Sequence, residues 1–336
     1  MTKEQENRYR RWKNGRERHS EEEDDAYHFQ DDESGIYYES QTEDTVQQRK
    51  KPDDVYVVRQ SWGYCSILFS IVQIVILVAM MIQCQVAPMT INPMVGPYPD
   101  ALNYWGAKNA VLIIEDGETW RLLSPILLHA GVIHLFFNVS VQLETGAFFE
   151  REWGSFTWLT VYLISGLGSS ILSTIAMPGS LSVGSSGAVM GLFGGKLAEV
   201  FCRACEKRTS PQSIIAHEVR MEQLTGVLCS VVIVAVMSFI PYVDWAAHLG
   251  GLIFGILIGI VLFSFEIRNV CWRMFWFLLG SFLTLLAFVK SIEYMYAYTE
   301  LDDNLRDVCE YYAKYFEDYE CHCQLDQDGD NNGDGD

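Results

Sequence analysis

Basic residues are scarce in this sequence, which has 24 Lys and Arg against 43 Asp and Glu and a formal net charge of −19. Nucleic-acid binding requires Lys and Arg gathered on one face of a protein. The candidate basic cluster, at 8–18, is followed closely by an acidic run at 21–25. This pattern excludes nucleic acid as an expected partner. Most of the acidic residues lie in the two tails, so the charge says little about function.

Metal-binding patterns are also missing. The nine cysteines are scattered without zinc-ligand spacing, and Cys202 and Cys205 form a lone CxxC without a partner pair, which favours lipid modification or no role. The acidic ending at 326–336 has Asn331 where a calcium loop needs glycine, and it stops before the twelfth-position Glu. We therefore expect no metal.

A cleavable signal peptide is absent too, because the first 60 residues or so are polar and the first apolar block is long enough to span a bilayer and stay there. The hydrophobic content of 49% is concentrated in long apolar blocks. The sequence therefore predicts an all-α, multi-pass membrane protein. We predict seven spans, at 61–83, 125–147, 154–176, 186–203, 222–241, 245–265 and 272–292.

This pattern divides the chain into four parts. Low aliphatic content predicts that the N-terminal part is disordered, since it cannot bury enough apolar surface to offset chain entropy. The stretch at 86–121 is of mixed polarity and is expected to lie in the membrane interface, with Trp120 and Arg121 as headgroup anchors. The parts are a cytosolic tail at 1–60, a six-helix core at 61–265, a seventh helix at 266–297 and an acidic luminal or extracellular tail at 298–336.

The positive-inside rule gives the orientation. Basic residues at 49–51 and in the connections after the second, fourth and sixth spans fall on one side. The connections at 177–185 and 242–244 carry no Lys or Arg. We therefore expect the N-terminus in the cytosol and the C-terminus in the lumen or outside. That placement puts Cys84, Cys309, Cys321 and Cys323 in an oxidising compartment, where a disulfide among them is a hypothesis.

Polar residues in three of the apolar spans point to a functional site, because intramembrane histidines are costly and usually functional. Ser186 begins one span, and His248 lies about one turn into another that starts from the same side. Small residues repeat every four positions on both helices, which allows their backbones to pack closely. A direct hydrogen bond is then possible, with Ser186 as nucleophile and His248 as its base. The glycines are Gly187, Gly191 and Gly195 on one helix and Gly251, Gly255 and Gly259 on the other.

Donors for an oxyanion are available on a third span. His134 and Asn138 are spaced i, i+4, so they share one helix face. Their N–H groups and the backbone N–H of Ser186 at its helix start predict an oxyanion hole. Asp244, one turn before His248, is a candidate third member of a triad, but its place at the helix edge favours a capping role.

Four segments together resemble the rhomboid intramembrane serine proteases. They are ETWR at 118–121, HAGVIHLFFN at 129–138, GSSG at 184–187 and AHLGG at 247–251, and they cover roughly 118–260 in the family's order. The resemblance implies a six-helix core, a Ser186–His248 dyad without an acidic member, and an oxyanion hole of His134, Asn138 and the Ser186 backbone. It implies no cofactor, and it assigns substrate contacts to Phe137, Val183, Ser185 and Met190.

The implied substrates are single-pass transmembrane proteins, cleaved in or near their membrane segment to release luminal or extracellular domains. A seventh helix after the core resembles the eukaryotic secretory-pathway subgroup, whereas the mitochondrial subgroup adds its helix in front. Met190 departs from the family, whose members often have an aromatic residue there.

The main alternative is a catalytically silent relative that binds transmembrane helices for trafficking or degradation. A channel or transporter is disfavoured because no repeats or broken helices are visible.

Overall fold

The computed structural model describes residues 63–204, 211–238, 243–317 and 319–323. The predicted disordered tail, the acidic ending and Cys205 lie outside these ranges. Within them the chain is helical, and the extended pairings are isolated bridges between Val86 and Pro97 and between Lys108 and Ser182. The prediction of an all-α membrane protein is confirmed.

The helices are numbered here in chain order. The α-helices are α1 Tyr64–Gln83, α2 Pro99–Tyr104, α3 Ala110–Ile114, α4 Val132–Val141, α5 Ala147–Trp153, α6 Ser155–Ala176, α7 Ser186–Cys202, α8 Pro211–Met237, α9 Trp245–Phe263, α10 Val270–Tyr298 and α11 Val308–Ala313. A π-helical turn, Gln142–Gly146, joins α4 to α5. Short 3-10 turns lie at Thr119–Leu122, Ser124–Leu127, Ser264–Glu266 and Asp303–Leu305.

Six helical segments among the described residues are long and apolar enough to cross a membrane. They are Tyr64–Gln83, Val132–Trp153, Ser155–Ala176, His217–Met237, Trp245–Glu266 and Val270–Tyr298. The remaining predicted span is α7, which has 17 residues where about 20 would cover the hydrocarbon core. These segments and α7 correspond in order to the seven predicted spans.

One predicted boundary is wrong, because α4 begins at Val132 and not near residue 125. The first N–H groups of a helix have no partner inside the helix, and here the N–H of Val132 donates to the carbonyl of Val95 at 2.9 Å. The preceding Gly131 allows this approach, since a Cβ there would lie 2.6 Å from the carbonyl carbon of Met94. Loop carbonyls, not an earlier helical turn, therefore define the start of α4.

The centre of the bundle is the crossing of α7 and α9, with α6 beside them. Both crossing helices present glycine, and a Cβ on Gly251 would meet the backbone of Gly187, as one on Gly255 would meet that of Gly191. The predicted close packing of two glycine faces is confirmed. In the apolar window of α6, 56% of the residues are buried, against 11% in α8, so α8 lies at the periphery.

The stretch at 86–121 folds into α2, α3 and turns packed on the bundle. Arg121 is fully buried and donates to the carbonyls of Asn103 at 2.6 Å and Ala107 at 3.2 Å. The predicted headgroup anchor at this position is therefore wrong, because a guanidinium that crosslinks loop carbonyls is unavailable to lipid. Trp120 is 51% exposed.

The C-terminal segment is attached to the same stretch. Disulfides join Cys84 to Cys323 and Cys309 to Cys321, which confirms the hypothesis of pairing among these four cysteines. The buried Asp100 of α2 accepts hydrogen bonds from the Tyr319 hydroxyl at 2.7 Å and from the backbone N–H groups of His322 and Cys323 at 2.8 and 2.7 Å.

Candidate active site

The turn before α7 places Ser186 at the first position of its helix. Gly184 has a φ of 126°, a conformation that only glycine adopts readily, and its N–H donates to the carbonyl of Pro125 at 2.9 Å. A Cβ at Gly184 would lie 2.8 Å from Cε1 of His134 and 3.0 Å from its Nε2. The glycine therefore lets the chain turn close to the His134 ring.

His248 meets Ser186 across the glycine crossing. Nε2 of His248 lies 2.9 Å from Oγ of Ser186, within the range of a nucleophile and its base. Asp244 caps α9 by accepting from the N–H of Ala247 at 2.8 Å, and its second oxygen accepts from the Ser173 hydroxyl. The capping role that the sequence favoured for Asp244 is confirmed.

The second ring nitrogen of His248 has a partner that sequence reasoning missed. Oγ of Ser238, just after α8, lies 2.9 Å from Nδ1 of His248 and 2.7 Å from the carbonyl of Val234, to which it donates. A serine near the end of a membrane helix usually bonds its own helix, so nothing in the sequence singled out Ser238.

His134 and Asn138 share one face of α4, as their spacing predicts. Nδ1 of His134 accepts from the N–H of Ala130 at 3.4 Å, so a neutral ring carries its proton on Nε2, the nitrogen next to Gly184. The side-chain amide of Asn138 donates to the carbonyl of His134 at 3.0 Å and accepts from the Ser185 hydroxyl at 3.4 Å. This arrangement turns one imidazole N–H toward the turn that bears Ser186.

Ser185 is fully buried, and its hydroxyl also lies 3.4 Å from Nε2 of His129. The ring of His129 stacks edge-on against that of His134, with centroids 5.3 Å apart. His129 and Ser185 therefore hold His134 and Asn138 in place. His129 lies in the segment at 129–138 that resembles the family, but it was not among the predicted site residues.

The residues assigned to substrate contact differ in exposure. Phe137 is 64% exposed on the outer face of α4, and Val183 is half-buried in the turn before α7. Ser185 and Met190 are buried, and Met190 packs in the same apolar cluster as Leu192. Direct substrate contact by each of the four residues stays a prediction.

Lys108 stabilises the connection between α6 and α7 that precedes Ser186. It is fully buried and its Nζ donates to the carbonyls of Met177 at 2.8 Å and Ser180 at 2.7 Å. Burial lowers the pKa of Lys108 to about 8, against the opposing effect of Asp244. The side chain thereby fixes the α6–α7 connection that leads to Ser186.

Across the described ranges, no group of three or more His, Cys, Asp and Glu side chains is arranged to hold a metal ion. Hydrogen-bonding groups and hydroxyls make up the site instead. Its parts come from α4, α7, α9 and the residue that follows α8.

Residues 116–265 match the family model of the Rhomboid domain. His129, His134, Asn138, Ser185, Ser186, Ser238 and His248 lie within that range, whereas the supporting Lys108 precedes it. The chain therefore carries a Rhomboid domain over residues 116–265.

Several curated proteins are similar to this chain. RHOMBOID-like protein 4 of Arabidopsis thaliana is 38% identical over 174 residues, which are 51% of this chain and 41% of the relative. RHOMBOID-like protein 6, mitochondrial, of the same plant is 34% identical over 175 residues, or 52% of this chain and 54% of the relative. Rhomboid-like protease 2 of Toxoplasma gondii is 32% identical over 197 residues, or 58% and 64%. The chain thus spans about half the length of the first two relatives.

Proposed function

We propose that the chain is an intramembrane serine endopeptidase in which Ser186 is the nucleophile and His248 the general base. The observation that carries this proposal is the 2.9 Å contact between Oγ of Ser186 and Nε2 of His248 within a Rhomboid domain. Similarity to a Rhomboid-like protease from Toxoplasma gondii supports the same reaction class.

In the proposed reaction, Oγ of Ser186 attacks the peptide carbonyl while Nε2 of His248 takes the hydroxyl proton. The carbonyl oxygen becomes an oxyanion that accepts hydrogen bonds from His134 Nε2–H, the Asn138 amide and the Ser186 backbone N–H. The C–N bond then breaks, and His248 returns its proton to the leaving amine. Water, deprotonated by His248, hydrolyses the ester on Ser186 and restores both groups.

The proposed substrates are single-pass transmembrane proteins. Ser186 begins α7 and His248 lies in the first turn of α9, so the reacting groups lie near one end of the bundle, where water can reach them. Exposed aromatic rings at Phe136 and Phe137 on α4 offer an apolar surface for a substrate helix. Cleavage at this depth would release the substrate's luminal or extracellular part.

For location we propose the secretory pathway or the plasma membrane, with the N-terminus in the cytosol. Two disulfides on the side of Ser186 support an oxidising compartment there. One relative carries the word mitochondrial in its name, and the compartment needs its own test. Fractionation of cells that express the tagged chain, with protease protection of each terminus, provides it.

The activity is tested by co-expressing the chain with a tagged single-pass reporter whose membrane segment contains helix-breaking small residues. We expect a released luminal fragment with the wild type and with Ser230→Ala, which removes an exposed hydroxyl on α8. Ser186→Ala and His248→Ala should release none at equal expression. Cleavage that persists in Ser186→Ala would contradict the mechanism. A reporter that co-purifies uncut with every version would favour the silent, helix-binding alternative.

A further inference from the structure

His248 is held at both ring nitrogens, by side chains from two different parts of the chain. Nε2 lies 2.9 Å from Oγ of Ser186, and Nδ1 lies 2.9 Å from Oγ of Ser238. A neutral imidazole has one donor and one acceptor nitrogen, and the hydrogen bond at one nitrogen decides the state of the other. The direction of the Ser238 bond therefore decides whether His248 can serve as a base toward Ser186.

The surroundings of Ser238 decide that direction. Its Oγ also lies 2.7 Å from the carbonyl oxygen of Val234, which can only accept. The single hydroxyl proton of Ser238 therefore goes to Val234. The oxygen then has only lone pairs left for Nδ1 of His248, so Nδ1 must carry the ring proton and donate it. Nε2 is left unprotonated, as a base that accepts the Ser186 proton requires.

The charged group closest in sequence has other partners. Asp244 lies one turn before His248, but its oxygens accept from the N–H of Ala247 and from the hydroxyl of Ser173. The candidate dyad thus has no carboxylate on Nδ1, the place that an Asp occupies in a Ser-His-Asp triad. A neutral hydroxyl occupies it here.

We propose that Ser238 is a positioning residue that fixes His248 in the tautomer with an unprotonated Nε2. This inference rests on the proposed function, since it concerns the same Ser186–His248 pair. Without the Ser238 hydroxyl the ring can carry its proton on Nε2, where it cannot accept the proton of Ser186. Ser238 contacts Nδ1 of His248, not the reacting Nε2, and therefore acts through the His248 ring.

The experiment measures the rate at which a small fluorophosphonate labels Ser186 in the full-length protein in lipid nanodiscs. This probe reports activation of the serine without requiring a membrane substrate to dock. The variants are Ser238→Ala, Ser238→Thr, which keeps a hydroxyl, and Ser230→Ala. Ser230 is the matched control because it lies on α8 and donates to the carbonyl of Gly226 at 2.9 Å, as Ser238 does to Val234, but it is exposed.

We expect Ser238→Ala to label about 10-fold more slowly than the wild type, less than the roughly 10²–10⁴-fold contribution of a general base, because the base itself remains. Ser238→Thr and Ser230→Ala should label within about twofold of the wild type, since both keep the bond to Nδ1. The fraction labelled at completion should be the same for all variants. An equal rate in Ser238→Ala and Ser230→Ala overturns the proposal, and so does a slow Ser238→Ala that threonine does not restore.

A second measurement does not depend on how the Ser238 variants fold. In wild-type protein with ¹⁵N-labelled histidine, NMR should show His248 with a protonated Nδ1 and an unprotonated Nε2, assigned by the loss of these signals in His248→Gln. A wild-type ring with its proton on Nε2 overturns the proposal. A wild type that takes no label, and is thus indistinguishable from Ser186→Ala, would instead indicate failure of the proposed function.

Discussion

At the scale of single residues, Gly184 is under the tightest conformational demand beside the candidate nucleophile. Its φ of 126° turns the chain from the α6–α7 connection into α7. A Cβ at this position would also meet the ring of His134, 2.8 Å from Cε1. Any side chain at this position therefore has two separate energetic costs. One is backbone strain at a positive φ, and the other is a steric clash with the His134 imidazole.

We predict that Gly184→Ala loses Ser186 reactivity as well as stability. Backbone strain of this kind costs on the order of 1–3 kcal/mol, and the methyl group must also displace His134 or the turn before Ser186. Fluorophosphonate labelling should fall by about 100-fold or more, since a displacement of about 1 Å in a catalytic group can cause a loss of that size.

Gly154→Ala separates the two penalties, because Gly154 has a φ of 83° but no atom within 4 Å of a Cβ. We expect this control to lower the thermal midpoint while its labelling rate stays at the wild-type value. Equal labelling by Gly184→Ala and Gly154→Ala would show that the contact with His134 has no effect on the site.

A site residue could be predicted from the sequence when its role depends on residues near it in the chain. Ser186 and His248 were predictable because a helix start and a first turn fix their depth, and the glycine repeats bring the two helices together. Ser238 was not, because its bond to Val234 is the ordinary local one and its contact with Nδ1 depends on where α8 ends relative to α9. The exposure of Phe137 and the burial of Met190 likewise required the packed structure.

At the scale of elements, the crossing of α7 and α9 sets the distance between the two candidate reacting groups. A Cβ on Gly255 would lie 2.6 Å from Cα of Gly191. Backbone atoms on a packed helix cannot move aside as a side-chain tip can. The distance between these helix axes is therefore set by glycine, and the 2.9 Å contact of Ser186 with His248 depends on it.

We predict that Gly255→Ala separates α7 from α9 and slows labelling of Ser186 by about 10- to 100-fold, in line with the sensitivity of catalysis to small displacements. Gly226→Ala on α8 is the matched control, since nothing lies within 4 Å of a Cβ there. That control should label normally and gain roughly 0.5–1 kcal/mol, because alanine is the better helix former. A normal rate in Gly255→Ala would refute the view that the crossing is rigid.

A buried ionic group joins α5 to α7 away from Ser186. Lys196 is fully buried and its Nζ lies 2.8 Å from Glu152 and 2.7 Å from Glu199. The indole N–H of Trp153 donates to Glu199 at 2.9 Å. Removing Lys196 would leave the buried Glu199 with only a longer ion pair, at 3.6 Å, to Arg203, and a buried charge that loses its close partner is costly.

We predict that Lys196→Met destabilises the protein by about 3–5 kcal/mol, the range for breaking a buried ion pair. The comparison is Lys290→Met. Lys290 has its partner Glu293 at the same distance of 2.7 Å, but its own side chain is 66% exposed. Its effect should stay below about 1 kcal/mol. Thermal unfolding of the two variants in one detergent measures the difference, and equal midpoints would contradict the prediction.

The ends of the helices were harder to predict than the number and order of the membrane spans. Apolar length identified every span in the described ranges, because that signal extends over about 20 residues. The start of α4 depends instead on the carbonyl of Val95 from a distant loop, which no local pattern encodes. The burial of Arg121 has the same origin, since its carbonyl partners belong to α2 and to the turn around Ala107.

At the scale of the whole molecule, the C-terminal segment braces the stretch at 86–121. The Cys84–Cys323 disulfide spans 239 positions of sequence and encloses every described helix after α1. Asp100 adds three hydrogen bonds from 319–323, and Arg306 pairs with Asp116 at 3.0 Å. The sequence predicted pairing among four cysteines from their common side of the membrane, but it left open which cysteine joins which.

We predict that non-reducing peptide mapping of the protein from intact cells finds Cys84 joined to Cys323 and Cys309 joined to Cys321. Cys84→Ser should lower the free energy of unfolding by up to about 2–4 kcal/mol, the usual range for a disulfide, because the brace then depends on non-covalent contacts such as those of Asp100 and Arg306. The matched control is Cys271→Ser, which removes an exposed free cysteine and should leave the thermal midpoint unchanged. Cysteines found reduced in intact cells would place this side of the protein in a reducing compartment. That result would overturn the proposed orientation while leaving the geometry of Ser186 and His248 intact.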